Sequence, residues 1–405
     1  MLPRTYITPD DHWAKSLGVP MSQAVRCGDL LVVSGQVAIG ADGSVETPDD
    51  LIGQTRAVMA SIRAVLADAG LAAGDLVQLR GFYVPEGGTG ELAVEAEIAA
   101  ALEPLNGPGP ALTPVPVLRP AGVVVEIEAI AMRGQNGAAL SRTAAWDATW
   151  PGPCRPFSHA LRVGSMIFTS GVTAETHDGI PAAGDIAEQS HVMMRRLGGL
   201  LAQLGADYDD VVKSNVFNTD GGNAEAWAES ALNRAGYYAE PGPAATGISV
   251  TSLLPAGVMT KKDVVAMRRP NGERMVRRHV WPDGHWDWTV HMPYRHGLQA
   301  GDLVFLGGQV PLNPDASVAH AGDIARQTEM SMEYIRRILA DLGMDFANVL
   351  RLNAFFATGG ARRSTRMRIA RTWRHVSPIF RRPARRARRS RCRTSPTKPW
   401  TSRST

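Results

Sequence analysis

Cys27-Gly28-Asp29-Leu30-Leu31-Val32-Val33-Ser34-Gly35-Gln36-Val37 is the stretch on which the fold turns, because it occurs three times. The second copy reads Val163-Gly164-Ser165-Met166-Ile167-Phe168-Thr169-Ser170-Gly171-Val172. The third reads Ala300-Gly301-Asp302-Leu303-Val304-Phe305-Leu306-Gly307-Gly308-Gln309-Val310. Gly35, Gly171 and Gly308 stand 136 and 137 residues apart. A period of that length marks a tandem array of domains, since solenoid repeats run to about 20–50 residues. Each copy opens near a glycine, continues as an apolar run and closes on Ser-Gly or Gly-Gly. That is the pattern of a buried strand that leaves a turn and ends where backbone must approach something closely.

Outward from this strand the three copies keep the same order. A helix follows, with apolar residues Leu51, Val58, Met59, Ile62, Val65 and Leu66 at helical spacing. Its counterparts run through Val192, Met193, Leu197, Leu200 and Leu204, and through Ile324, Thr328, Ile335, Ile338 and Leu342. Asp49 and Asp50 lie where carboxylates favour a helix start, and Gly70, Gly205 and Gly343 where a C-cap is expected. Strands are predicted over 76–84, 211–217 and 349–356, and second helices over 91–102 and 224–235. Repeat 1 then ends in strands over 113–118 and 123–132. Before each copy stands a tryptophan-bearing element: Pro9-Asp10-Asp11-His12-Trp13, Trp146 with Trp150, and Pro282-Asp283-Gly284-His285-Trp286. One repeat reads as β-β-α-β-α-β-β, an α+β unit whose two helices cover one sheet face. The expected division is repeat 1 at 9–133, repeat 2 at 146–269 and the first half of repeat 3 at 282–360. Polar linkers fall at 134–145 and 270–281.

The net charge of +4 conceals two unlike parts. Residues 361–405 hold 15 Arg and one Lys with no acidic residue; the other 360 carry 27 basic against 39 acidic side chains, a net −12. The tail lacks apolar periodicity and cannot bury enough surface to fold alone. It ends nearly where a third repeat would end, as a shifted reading frame in a GC-rich gene would produce; a true basic tail is the alternative. Hydrophobic content of 44% with 20% charge is that of a globular domain protein, and no apolar run is long enough to span a bilayer. Cys27, Cys154 and Cys392 form no metal-ligand spacing, and the N-terminus lacks a signal-peptide core. A sparse, odd set of cysteines without an export signal fits the reducing cytoplasm.

The Gly-Asp-Leu…Ser-Gly-Gln strand, the Asp-Ile-Ala…Gln-Thr helix start and Val125-Glu126-Ile127-Glu128-Ala129-Ile130-Ala131 resemble the RidA/YjgF family, once per repeat as far as residue 360. The resemblance implies a chorismate-mutase-like fold and a trimer, here an intrachain pseudo-trimer with clefts between neighbours. It also implies hydrolysis of reactive enamines and imines, such as 2-iminopropanoate, to keto acids and ammonia, with no metal or organic cofactor. In the family, an arginine from a Pro-Ala-Arg-Ser/Thr motif binds the substrate carboxylate, as a planar guanidinium does well. The first Glu of Glu-Ile-Glu positions the attacking water.

Carried onto this chain, the resemblance makes Glu126 the candidate catalytic carboxylate. Its counterpart in repeat 2 is Lys261. Counting back from Pro120 puts the arginine position at Ala111, and in repeat 2 at Ala245 or Thr246. The family aromatic falls on Met21, Phe157 and Tyr294, of which Tyr294 alone keeps a hydroxyl. Substrate-binding candidates are therefore Ser34, Gly35, Thr113, Phe157, Ser170, Gly171, Tyr294 and Gly308, with Gly307 beside the last. Arg119 is a candidate replacement for the missing guanidinium. With that group absent, any surviving hydrolysis is expected to be weak or redirected, and the rival reading is a non-catalytic binder of small ligands in the inter-repeat clefts. His279, His285, His291 and His296 lack the i, i+4 helical spacing of known metal sites. The acidic body argues against nucleic acid as a partner, the basic tail being its one anchor.

Overall fold

The computed structural model describes residues 2–16, 18, 21–85, 90–117, 122–219 and 224–357. Arg119, Pro120 and the basic tail at 361–405 lie outside them.

In repeats 1 and 2 the repeated strand is buried on both faces, which is why it reads as a continuous apolar run and not as an alternation, whereas its copy in repeat 3 is half-buried. In β3 (Leu30–Val37), Leu31 and Val33 face the helices of their own repeat, while Leu30 and Val32 join a core shared by all three repeats. β9 (Met166–Thr169) divides likewise, Ile167 to its helices and Met166 with Phe168 to the shared core. In β15 (Leu303–Leu306), Val304 and Leu306 turn to the helix side and Leu303 and Phe305 to the centre. Val77, Val212, Leu298 and Ala300 complete that central core. The three repeats therefore pack sheet to sheet around one axis, with helices outside.

Repeat 1 places β1 (Arg4–Ile7), β2 (Ala24–Cys27), β3, β6 (Val125–Met132), β4 (Leu76–Tyr83) and β5 (Ala111–Pro116) side by side in that order. Repeat 2 repeats it with β7 (Arg142–Ala145), β8 (Ala160–Val163), β9, β12 (Thr260–Met267), β10 (Val211–Asn218) and β11 (Ala244–Ser249). The β4–β5 and β10–β11 pairs are parallel, the remainder antiparallel. Repeat 3 contributes β13 (Arg277–Val280), β14 (Gly297–Ala300) and β15. The short helix α1 (Trp13–Ser16) precedes β2.

The long helices are α2 (Leu51–Asp68), α4 (Ile186–Gln203) and α6 (Ile324–Asp341), and each starts from an aspartate. The side chains of Asp50, Asp185 and Asp323 accept from Gly53 N, Glu188 N and Ala325 N, satisfying amides that a helix start leaves without partners. The glutamine that follows fastens the helix to the loop before the last strand. Gln54 Oε1 accepts from Val124 N at 3.0 Å, and Gln189 Oε1 from Met259 N at 2.9 Å. The second helices are α3 (Glu91–Leu102) and α5 (Ala224–Ala235).

Two expectations need correction. The segments 134–145 and 270–281 are not wholly linkers: β7 and β13 lie within them and pair antiparallel with β8 and β14. β1 does the same ahead of residue 9. Short edge strands with mixed burial carry little apolar signal, which hides them in the sequence. The strand predicted over 349–356 is likewise not formed among the described residues. Its equivalent β4 is a strand because it is laddered between β5 and β6, and the matching segments of repeat 3 would follow residue 357. No helix among the described residues is long and apolar enough to cross a membrane.

Candidate functional sites between the repeats

Among the described residues, two inter-repeat clefts form where the edge strand of one repeat meets the Ser/Gly-Gly end of the next. Gly171 N donates to Leu112 O at 3.0 Å, Ser158 N to Pro110 O at 3.1 Å, and Leu112 N to Ser170 Oγ at 2.9 Å. Between repeats 2 and 3, Gly308 N donates to Ala245 O at 2.9 Å and Arg295 N to Pro243 O at 3.1 Å. Pro110-Ala111-Leu112-Thr113 and Pro243-Ala244-Ala245-Thr246 are thus equivalent position by position. The strand registers agree, Ala111 opposing Gln78 as Ala244 opposes Lys213. The arginine position of the motif therefore falls on Leu112 and Ala245, not on Ala111 or Thr246. Counting back across the β5–β6 connection misplaces it, because that connection has eight residues in repeat 1 (117–124) and ten in repeat 2 (250–259).

The same geometry divides the sequence candidates among three sites. Thr113, Phe157, Ser170 and Gly171 meet in the cleft between repeats 1 and 2. A Cβ on Gly171 would stand 2.9 Å from Thr113 Cγ2 and 3.1 Å from Lys261 Cδ. Phe157 is buried in the helix-side core of repeat 1 although it belongs to repeat 2. Tyr294, Gly308 and Thr246 meet between repeats 2 and 3, where a Cβ on Gly308 would lie 3.0 Å from Thr246 Cγ2. Burial pushes the Tyr294 phenol up to about 12, and its ring lies edge-on to Tyr238 at 5.9 Å. Ser34, Gly35 and Glu126 form the third site, on the face of repeat 1 turned away from repeat 2. There the half-buried Glu126 carboxylate fills the space a Cβ on Gly35 would take. Met21, the aromatic-position residue of that face, is 37% exposed. Glu126 and the Leu112 position thus serve different clefts, although both are in repeat 1.

The repeat 1–2 cleft is closed by charge. Lys261 Nζ, with its residue 1% exposed, donates to Glu91 Oε1 at 2.6 Å, Glu91 Oε2 at 2.8 Å and Pro114 O at 2.9 Å. Tyr83 Oη donates to Glu91 Oε2 at 3.1 Å. Burial, and then the neighbouring Glu91, raise the Glu95 carboxyl to about 8 and shift Glu175 in the same direction. Sequence reasoning missed Glu91, Glu95 and Glu175. A lysine standing where a carboxylate was expected needs a buried counter-charge, and Glu91, at a helix start, was the available signal.

Glu128, two residues along β6 from Glu126, sits on the central axis. It accepts from Asn353 and pairs with Arg351, while Arg80 Nη1 lies 3.6 Å from its Oε2. Arg80 Nη2 also reaches Asp263 Oδ1 at 2.8 Å, and Asn215 Nδ2 donates to the same oxygen at 2.8 Å. Phe82, Phe217 and Phe355 gather at one end of the axis, with ring centroids 6.4 and 5.5 Å from Phe82.

His12, His285 and His296 have packing roles, whereas the exposed His291 lies 3.0 Å from Glu240 Oε2. His12 Nε2 and His285 Nε2 each lie 2.8 Å from the glutamine that follows the cleft glycine, Gln36 and Gln309. Burial lowers both pKa values, and His296, among Trp281, Trp286 and Trp288, falls to about 3 for the same reason. Trp288 also packs against the core of repeat 2. Among the described residues no group of three or more His, Cys, Asp or Glu is placed to hold a metal ion.

The endoribonuclease L-PSP family model matches three times, at residues 15–133, 148–261 and 288–388. A RutC family protein of Pyrococcus abyssi is 30% identical over 29% of this chain and 91% of its own length. The 2-iminobutanoate/2-iminopropanoate deaminase of Escherichia coli is 34% identical over 28% of this chain and 88% of its own. A solved YjgF/YER057c/UK114 family member from Mycobacterium tuberculosis is 30% identical, with a TM-score of 0.26, covering 32% of this chain and 99% of that one. With its model matched over most of the length, the chain belongs to the endoribonuclease L-PSP (RidA/YjgF) family, as three tandem α+β copies.

Proposed function

We propose that the chain hydrolyses small 2-imino or enamine acids to 2-keto acids and ammonia on the repeat 1 face, with Glu126 as the water-positioning carboxylate. The observation that carries this reading is the seating of Glu126 against Gly35. A carboxylate there takes a proton from water as oxygen attacks the C=N carbon, then returns it to nitrogen. The tetrahedral aminol then passes its hydroxyl proton through the same carboxylate to nitrogen, the C–N bond breaks, ammonia leaves and C=O forms. The Escherichia coli relative, a 2-iminobutanoate/2-iminopropanoate deaminase by name, supports the substrate class. Leu112 and Ala245 leave the repeat 1–2 and 2–3 clefts without a bidentate partner for a substrate carboxylate, so hydrolysis is expected on the Glu126 face and not in those two clefts. The partners in this reading are small imines and keto acids in the cytoplasm, without a metal or organic cofactor.

The test traps 2-iminopropanoate with semicarbazide. Acceleration over buffer that disappears in Glu126→Ala, with the melting temperature kept, supports the reading; acceleration unchanged in that variant overturns it. A second reading, a non-catalytic binder of small ligands, is favoured by the Lys261–Glu91 pair that fills the repeat 1–2 cleft. It predicts a rate equal to buffer together with calorimetric binding of a keto acid.

A further inference from the structure

The chain has five lysines against 38 arginines, and three of the five, Lys213, Lys261 and Lys262, sit in the sheet of repeat 2. Lys261 is taken by Glu91, and Lys262 is buried over the Tyr238 ring, 5.0 Å from its centroid. Lys213 differs from both. It is half-buried on β10 and lines a cavity of about 1420 Å³ bounded by all three repeats, where Arg80, Thr246, Gly307 and Gly308 are among its neighbours in the lining. Its Nζ is 2.6 Å from Thr246 Oγ1 and 2.6 Å from Leu306 O. Both are neutral oxygens, and among the described residues no carboxylate forms an ion pair with the amine. Two N–H groups directed at these oxygens leave the amine lone pair for a third direction. The equivalent positions hold Gln78 and Arg351, neither of which has a nucleophilic amine.

We propose that Lys213 is a nucleophilic amine that condenses reversibly with a small carbonyl compound in the repeat 2–3 cleft, forming a Schiff base. Neutral Nζ adds to the carbonyl carbon, and the carbonyl oxygen takes up the proton that nitrogen gives up, for which the Thr246 hydroxyl is the adjacent relay. Loss of water from the carbinolamine leaves the C=N bond to Lys213. Addition of water reverses the sequence and frees both partners. An incoming imine reacts in the same way, with ammonia leaving in place of water. A lysine serves this chemistry only when an appreciable share is unprotonated. Burial first, and the positive charge of Arg80 second, lower Lys213 to about 7, with Asp263 opposing them. The activity is separate from hydrolysis at Glu126, which lies in a different cleft.

The test incubates the full chain at pH 8 with pyruvate, and separately with acetaldehyde, in the presence of cyanoborohydride, followed by peptide mass spectrometry. Expected is a reduced adduct on Lys213 in excess of that on the exposed Lys15, falling about tenfold at pH 6 as the amine protonates. Labelling by pyruvate alone identifies a keto acid as the ligand class, and labelling by both identifies carbonyl compounds generally. Lys213→Arg keeps donors toward Thr246 and Leu306 but forms no Schiff base, so its total incorporation must drop by the Lys213 share. Glu126→Gln must label as the parent does, which separates this proposal from the hydrolase reading. Adduct confined to Lys15 and the N-terminus, or equal incorporation in Lys213→Arg, overturns it.

Discussion

Lys261 of repeat 2 grips both carboxylate oxygens of Glu91 in repeat 1, at 2.6 and 2.8 Å. The residue of repeat 2 that matches Glu126 is one half of an inter-repeat ion pair. Removing one partner of a buried pair strands the other charge, whereas an apolar substitute for the lysine removes that charge altogether.

Glu91→Ala is therefore expected to lower the unfolding free energy by about 3 kcal/mol. Lys261→Met is expected to cost clearly less. Urea denaturation of both variants checks this, and equal losses would contradict the account.

Glu95 gives the cleft a pH dependence. Its folded value of about 8 lies above the ordinary carboxylate value of 4.5, so between these pH values the folded chain holds a proton that the unfolded chain has released. Stability from this group is complete below pH 4.5 and is lost as pH rises through about 8. Glu95→Gln should flatten that decline. Urea midpoints measured from pH 5 to 9 decide it, and parallel curves for the parent and variant would refute the assignment.

Gly171→Ala should part repeats 1 and 2, because its Cβ would press on Thr113 Cγ2 at 2.9 Å and Lys261 Cδ at 3.1 Å. Overpacking of this kind costs about 1–3 kcal/mol. Gly81, with nothing within 4 Å of its Cβ, is the control. A lowered melting temperature for Gly171→Ala and not for Gly81→Ala is the expected result.

Glu128→Ala should loosen repeat 3 from repeat 1, since the carboxylate is shared by Arg351, Asn353 and Arg80. The expected loss is about 3 kcal/mol, with earlier proteolytic cleavage in the 344–357 segment. Cleavage kinetics unchanged from the parent would show that the axis cluster does not hold repeat 3.

The sequence by itself determined the threefold repetition, the helix start at Asp50, and the lack of an arginine in 110–113 and 243–246. These are local: a period, a cap or an absent side chain needs no partner to be read. The edge strands β7 and β13 escaped because short, mixed-burial strands lack periodicity. Tertiary structure alone decided which residues share a cleft. Both clefts among the described residues take Leu112 or Ala245 from one repeat and the glycine pair from the next, so that Glu126 and Leu112, neighbours in one sheet, lie on opposite faces. It also decided that Lys261 finds Glu91 170 residues away and that Lys213 faces two neutral oxygens. Charge pairing and amine reactivity depend on what stands within a few ångströms, and packing between repeats sets that distance.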